Sequence, residues 1–254
     1  MEICVDSIES AINAVHGGAH RLELCSALCE GGLTPSMGLF KTLKILKMMD
    51  TVDIFIMLRP RCGYDFQFSD LEIKVILKDC LLFKNAGADG FVFGALTSTG
   101  DIDIDACASV ISTAQPLPVT FHRAFDVATQ DPIEMAHKIA DLGFKRLLTS
   151  GRSPEASDGK HLIKVLIETM KDRLIIMPGA GIQVDNLKDI LVTTLAREFH
   201  GSAKVLKKYT NSNDPKLQSA YKKTPIYVTD QDIVKKLLRI YKNYLKLEYK
   251  IRYT

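Results

Sequence analysis

The chain repeats one pattern eight times: a short apolar segment typical of a buried strand, followed by an amphipathic segment with helical spacing. Strands that alternate with helices form parallel sheets, because each helix returns the chain to the start of the next strand. Eight units in 254 residues predict an α/β fold, a (β/α)8 TIM barrel, with a doubly wound open sheet as the alternative. The predicted strands are Glu2–Val5, Arg21–Cys25, Asp53–Leu58, Gly90–Phe93, Val119–His122, Arg146–Thr149, Leu174–Met177 and Glu198–His200.

Local signals also predict where several helices begin. A Ser or Thr cap followed by proline is typical of a helix start, so Thr34 is expected to cap a second helix that runs to about Met49. The sixth helix is expected to begin near Ala156. A final helix is expected from about Asp230, capped by Thr229.

The C-terminal part of the chain differs from the rest in charge. Residues 204–254 contain thirteen Lys and Arg against four Asp and Glu, whereas the whole chain has a net charge of only +3. Basic tails can bind nucleic acid or an anionic membrane, but a solvated helix face is the simpler interpretation, and we expect binding to neither of them. We expect residues 1–204 to form the barrel and residues 205–254 to add an irregular segment and a basic helix within one domain. The alternative is that the basic helix docks against a neighbouring subunit instead of packing on its own barrel.

The sequence predicts an intracellular protein. It has no run of about eighteen apolar residues, and its first ten residues carry acids where a signal peptide would be basic. The six cysteines are therefore expected to be reduced thiols, buried residues or metal ligands rather than disulfides. Cys29 and Cys62 fall in predicted loops, and Cys80 and Cys107 fall in predicted helices as core residues.

Strand alternation predicts a polar barrel interior. Successive strand residues point to opposite faces, and the outward face of a barrel strand meets the helices and is apolar. Buried charge is destabilising unless it is paired, so the interior indicates either a functional site at the carboxyl ends of the strands or an ion-pair network in a lower layer. The residues predicted to point inward are Glu2, Cys4, Arg21, Glu23, Cys25, Thr120, His122, Glu198 and His200, with Arg59 at the mouth.

Cys4 and Cys25 are the two residues whose positions most specifically indicate a metal site. Each is the last inward residue of its strand, and the two strands are neighbours about 4.8 Å apart. Two soft thiolates favour Cu(I), whereas a structural zinc site would normally take four ligands. The alternative is that each cysteine is simply a small buried hydrophobic residue.

The same end of the barrel also carries the features of an enzyme acting on a small anionic substrate. Backbone amides around Gly179 and Gly181, together with Ser202, could form the anion pocket that barrels often build after the last two strands. In this hypothesis His122 or Glu198 transfers protons, and arginines hold the negative charge. The complete set of candidate catalytic residues is His122, Glu198, Glu23, Arg59 and Arg123.

Nine short segments of the chain carry a family resemblance. They are ICVDS (3–7), GGAHRLELC (17–25), EGGLTPS (30–36), RPRCGYDF (59–66), GADGFVFGAL (87–96), TFHRAFD (120–126), LLTSG (147–151), MPGAGI (177–182) and EFHGSA (198–203). Together they closely resemble the CutC family of copper homeostasis proteins. The resemblance is collinear from residue 2 to about residue 204 and is weak in the basic tail. The sequence departs from the family pattern at Cys62, at an additional Tyr64 and at Ala180, where the family commonly has glycine.

The resemblance implies a TIM barrel in the cytoplasm, also nuclear in eukaryotic relatives, that forms a homo-oligomer such as a dimer or tetramer. It further implies Cu(I) binding at two strand-end cysteines, which correspond to Cys4 and Cys25 here. Three hypotheses stay open at this point: a Cu(I)-binding protein, an enzyme acting on a small anion, and an assembly role for the basic tail.

Overall fold

Eight parallel strands form a nearly closed barrel in the computed structural model, which describes residues 1–207 and 225–253. The first seven strands pair in sequence order, and the eighth returns to pair with the first, which distinguishes a TIM barrel from a doubly wound sheet. The predicted fold is thus confirmed. The strands are β1 (Glu2–Val5), β2 (Arg21–Leu24), β3 (Asp53–Met57), β4 (Gly90–Phe93), β5 (Val119–Phe121), β6 (Arg146–Thr149), β7 (Ile175–Pro178) and β8 (His200–Gly201).

Helices follow the strands and cover the outside of the barrel. Their buried faces meet the outward strand residues in one large apolar core. No capping residue or periodic pattern in the sequence predicted the shortest helix, which lies immediately after β5. The helices are α1 (Ile8–His16), α2 (Met37–Lys44), α3 (Asp70–Asn85), α4 (Ile104–Ala114), α5 (Ala124–Val127), α6 (Pro132–Asp141), α7 (Lys160–Met170), α8 (Leu187–Thr194) and α9 (Gln231–Tyr253).

The predicted start of the second helix was wrong. Ser36 caps α2, because its hydroxyl accepts a hydrogen bond from the Leu39 amide at 3.1 Å. Thr34 is tied to the end of β3 instead: its amide donates to the Arg59 carbonyl, and its hydroxyl accepts from the Arg59 amide, both at 2.9 Å. The helix also ends early, at Lys44, and a 3-10 turn covers Lys47–Thr51.

Two other predicted helix starts were also displaced by contacts made elsewhere in the chain. The amide of Ala156 donates to the Ala180 carbonyl at 3.0 Å, so α7 begins later, at Lys160. Asp230 rather than Thr229 caps α9, since its carboxylate accepts from the amides of the next turn. The Thr229 hydroxyl is engaged with the carbonyl of Ser202 at 3.1 Å.

The C-terminal helix packs on the barrel against α1 and α8. Val234, Leu237 and Tyr241 are buried in this interface, and Gly17 leaves room for Val234, which a Cβ at position 17 would meet at 2.4 Å. The irregular segment predicted between residues 208 and 224 lies outside the described residues. Within the described ranges, no helix is both long and apolar enough to span a membrane.

Candidate functional site

A cavity of about 770 Å³ lies at the carboxyl ends of the barrel strands. Its lining includes Cys4 and Glu23 from β1 and β2, and His200 from β8, all of which strand alternation predicted to point inward. Arg59 and His122 follow β3 and β5 and line the same cavity. Pockets for small organic ligands have volumes of about 300–1,000 Å³, so the cavity has room for more than a metal ion.

An ion-pair network forms the adjoining layer of the barrel interior. Arg21 binds the carboxylates of both Glu2 and Glu198, and Arg146 donates to Glu198 at 2.9 Å. Burial opposes ionisation of Glu198, but Arg21 and Arg146 outweigh it and lower the pKa of this carboxyl below its usual value. Glu198 does not line the cavity, so the structure places it in this network, apart from the other candidate catalytic residues.

Cys4, Glu23 and His200 form a compact cluster whose potential metal-ligand atoms all lie within 4.8 Å of one another. The Nε2 atom of His200 lies 2.5 Å from Oε2 of Glu23. Burial lowers the pKa of His200, but the charges of Glu23 and Cys4 raise it more strongly, to well above its usual value. The cluster is therefore an imidazolium held between a carboxylate and a sulfur.

Cys25 lies beside this cluster without belonging to it. The register of β1 and β2 pairs Cys4 with Glu23, so Cys25 comes two residues further along the barrel axis. Its thiol donates to the Val5 carbonyl at 3.5 Å, and its side chain packs on Phe55 in a small apolar group. Burial, followed by the charges of Glu23 and Cys4, raises the pKa of this thiol well above its usual value.

The other four cysteines are where the sequence predicted them. Cys29 and Cys62 are exposed, whereas Cys80 and Cys107 are buried in α3 and α4. Burial raises the pKa of both helical thiols to about 12. These two thiols are core residues.

His122 is buried in the cavity wall as a neutral imidazole. Its Nδ1 atom accepts a hydrogen bond from the Ala124 amide, at the start of α5, at 3.2 Å. Since Nδ1 is the acceptor, the proton of the neutral ring is on Nε2, which has no hydrogen-bond partner among the described residues. Burial, reinforced by the positive charge of Arg59, lowers the pKa of His122 to about 3.

We expect His122 to stay neutral between pH 8 and about pH 4. The unfolded chain takes up this proton near pH 6.5 and the folded chain only near pH 3, so His122 makes the folded state less stable as the pH falls through that window. Long-range ¹H–¹⁵N NMR spectra across the pH range test this, with the urea-unfolded protein as the reference. An imidazolium signal from folded His122 at pH 6 would contradict it.

The two arginines predicted at the mouth have different environments. Arg59 is buried and donates to the carbonyls of Glu30, Gly32 and Gly63 at 2.7–3.1 Å. Burial lowers the pKa of its guanidinium. The side chain of Arg123 is 40% exposed and is paired with Asp126, at 2.8 Å from its Nε atom.

The glycine loop after β7 and Ser202 lie next to each other in the structure. Gly181 and Ser202 line the cavity, whereas Gly179 packs under Leu148, which a Cβ would meet at 2.5 Å. A Cβ on Gly181, whose φ is +69°, would come within 2.6 Å of the carboxyl carbon of Glu155. An anion at this loop would thus face a neighbouring carboxylate.

Three features of the site were missed from the sequence. Arg146 joins the lower network, and the alternation of β6 could have placed it inside. The hydrogen bond from the Ala124 amide to His122 depends on α5. Neither a capping residue nor a periodic pattern in the sequence predicted this helix. Phe66 contacts His122 with ring centroids 4.8 Å apart from a loop with no regular pattern.

Comparison with known proteins agrees with this geometry and with the nine segments. The model of the CutC family matches residues 1–205. The chain belongs to the CutC family. The relatives of this family that it resembles include the copper homeostasis protein cutC homologues of Homo sapiens, 48% identical, and Mus musculus, 47% identical; each match covers 96% of this chain and 90% of the relative.

A solved CutC structure supports both the family and the fold. The crystal structure of CutC from Streptococcus agalactiae superposes with a TM-score of 0.75 at 32% identity, covering 79% of this chain and 97% of that one. The family match ends at residue 205, where β9 (Lys204–Leu206) pairs with β10 (Tyr227–Thr229). The cavity and the cluster at Cys4 lie within the matched part of the chain.

Proposed function

We propose that this protein acts in copper homeostasis by binding Cu(I) in the barrel cavity, with Cys4 and Cys25 as the thiolate ligands. The observation that carries the proposal is the buried thiol of Cys4, which lines the cavity beside Glu23 and His200, with Cys25 directly after the neighbouring strand. The names of the human and mouse relatives support copper as the metal.

The donor chemistry fits a monovalent soft ion better than a divalent one. Thiolates select Cu(I), zinc and iron–sulfur clusters, and a structural zinc site or a cluster would normally need four protein ligands, whereas Cu(I) accepts a low coordination number. His200 holds a proton shared with Glu23, so at neutral pH it supplies a positive charge beside Cys4 rather than a free ligand nitrogen. Cys25 is protonated in the metal-free protein, and binding at its sulfur releases that proton.

An anaerobic Cu(I) competition titration against a chromophoric chelator tests the proposal. We expect Cys4→Ser and Cys25→Ser to lower the Cu(I) affinity by more than about 100-fold each, because loss of an outer partner of a metal site alone changes affinity by about 10–100-fold. The matched control is Cys29→Ser/Cys62→Ser, which removes two exposed thiols and leaves the cavity intact. It should bind as the wild type does.

The double variant Cys4→Ser/Cys25→Ser decides the matter. Equal Cu(I) affinity in this variant and in the control would overturn the proposal. A loss caused by Cys4→Ser but not by Cys25→Ser would remove Cys25 from the site. Thermal melting of each variant shows whether it is folded.

A further inference from the structure

A second group of polar cavity residues lies at the ends of β3 and β5, apart from the cluster on β1, β2 and β8. Its members are Arg59 and His122. The copper proposal uses neither of them. Both carry buried N–H groups that lack an acceptor among the described residues.

Arg59 is a buried cation that pairs with no carboxylate of residues 1–207 or 225–253. All of its hydrogen bonds go to backbone carbonyls, and its Nε–H has no partner in the part of the chain that the structure describes. The nearby Asp65 is engaged at 3.0 Å by Arg61. A buried charge is usually paired, because removing it from water is unfavourable. Arg59 therefore leaves a positive charge available in the cavity wall.

His122 offers a single, fixed donor next to that charge. Its Nδ1 atom is occupied by the Ala124 amide, so the free position of the ring is an N–H and cannot act as a base. The positive charge of Arg59 disfavours a second proton on the ring. The ring is thus suited to donating a hydrogen bond to a ligand oxygen.

Phe66 contacts the side chains of both donors and has a backbone conformation that is unfavourable for its side chain. Its ring centroid lies 4.8 Å from that of His122 and 5.1 Å from the guanidinium carbon of Arg59. Its φ is +50°, in the left-handed region, although the residue is buried. Such strain in native proteins is concentrated at functional sites.

The number and charge of the free donors indicate the class of ligand. One positive charge and two N–H groups match one negative charge and two acceptor oxygens, as in a carboxylate. A phosphate dianion would need a second positive charge, which these two donors do not supply. Part of the remaining lining, including Met57, Leu148 and Ile182, is apolar and suits the body of an organic molecule.

We propose that Arg59 and His122 bind the carboxylate of a small organic acid in the barrel cavity, with Phe66 holding the two side chains in position. Both N–H groups are shielded from solvent in the unliganded protein. The Tyr64 ring, which lies over Arg59 and is 65% exposed, moves aside when the acid enters.

NMR of the wild-type protein tests this with acetate, pyruvate, succinate and benzoate, against sodium chloride at equal ionic strength. We expect at least one of these acids to shift the His122 Nε2 resonance saturably. The same acid should raise Tm by about 5 °C or more at a hundred times its dissociation constant. Inorganic phosphate should shift neither. The proposal is overturned if none of the four acids moves the His122 signal, or if phosphate does so in their place.

Variants at one buried and one exposed arginine supply the test and its control. Arg59→Gln should weaken binding of the acid by about 10-fold or more, the usual value of a charge-assisted hydrogen bond. Arg173→Gln removes an exposed arginine paired with Asp141, and should bind the acid as the wild type does. Equal binding by both variants would exclude Arg59. If Arg59→Gln does not fold, the wild-type NMR result alone decides.

This inference does not rest on the copper proposal. The variant Cys4→Ser/Cys25→Ser should keep the response to the acid, and Arg59→Gln should keep the Cu(I) affinity. Loss of the response to the acid in Cys4→Ser/Cys25→Ser, or loss of Cu(I) affinity in Arg59→Gln, would show that the two ligands share one site.

Discussion

Arg21→Met should lower the free energy of unfolding by about 3–5 kcal/mol, the usual effect of breaking a buried ion pair by removing one partner. Arg21 binds both Glu2, which is fully buried, and Glu198. Methionine fills similar space but removes the arginine bound to Glu2, so that, among the described residues, only His200, whose Nε2 atom lies 3.7 Å from Oε1 of Glu2, remains as a partner for this carboxylate. The expected effect comes from the poorly compensated charge rather than from lost packing.

Chemical denaturation at pH 7 measures this change. Arg197→Met is the control, because Arg197 and Asp172 form an exposed pair, 59% and 93% accessible, of a kind that contributes about 0–1 kcal/mol. If the two variants lose the same stability, the network is not the source of the effect. The pKa of Glu198 is lowered, so its stabilising contribution is present above its unfolded pKa near 4.3 and is lost as the pH falls further.

Glu23→Gln should remove the charge that keeps His200 protonated. In the wild type, the raised pKa of His200 makes its contribution to stability fully present below pH 6.5, and this contribution is lost as the pH rises through the folded-state pKa. Without the Glu23 carboxylate, the nearest remaining carboxylate oxygen in the described part of the chain belongs to Glu2, at 3.7 Å, and we expect burial to outweigh it and make the imidazole neutral. We expect a loss of about 3 kcal/mol at pH 6, as for other broken buried pairs.

Two measurements check this second prediction. The ¹⁵N spectrum of His200 at pH 7 should report an imidazolium in the wild type and a neutral ring in Glu23→Gln. Glu9→Gln, which breaks the exposed pair between Glu9 and Lys207, should change neither the spectrum of His200 nor the stability by more than about 1 kcal/mol. A neutral His200 in the wild type would contradict the assigned cluster.

Local periodicity was enough to predict the barrel and the contents of its interior. The eight strand segments need only a two-residue repeat, and the helices between them a repeat of 3.6 residues, so both are readable over a few neighbouring positions. The same alternation placed Cys4, Glu23, His122 and His200 inside before any distance was known. Membership of the CutC family could likewise be recognised from short segments of the sequence.

Contacts between distant parts of the chain decided how those residues meet. The register of β1 and β2 pairs Cys4 with Glu23 rather than with Cys25, because barrel closure sets the stagger of neighbouring strands. Thr34 and Thr229 had the chemistry of helix caps, but partners far along the chain took their hydrogen bonds.

One physical reason explains which features the sequence predicted and which ones only the tertiary structure decided. A repeat tells which way a side chain points, and it needs only neighbouring residues. The partner of that side chain depends on where another strand or loop ends. Arg59 shows both: the sequence by itself placed it at the mouth, and only the tertiary structure surrounded it with carbonyls, with no carboxylate partner in the described part of the chain.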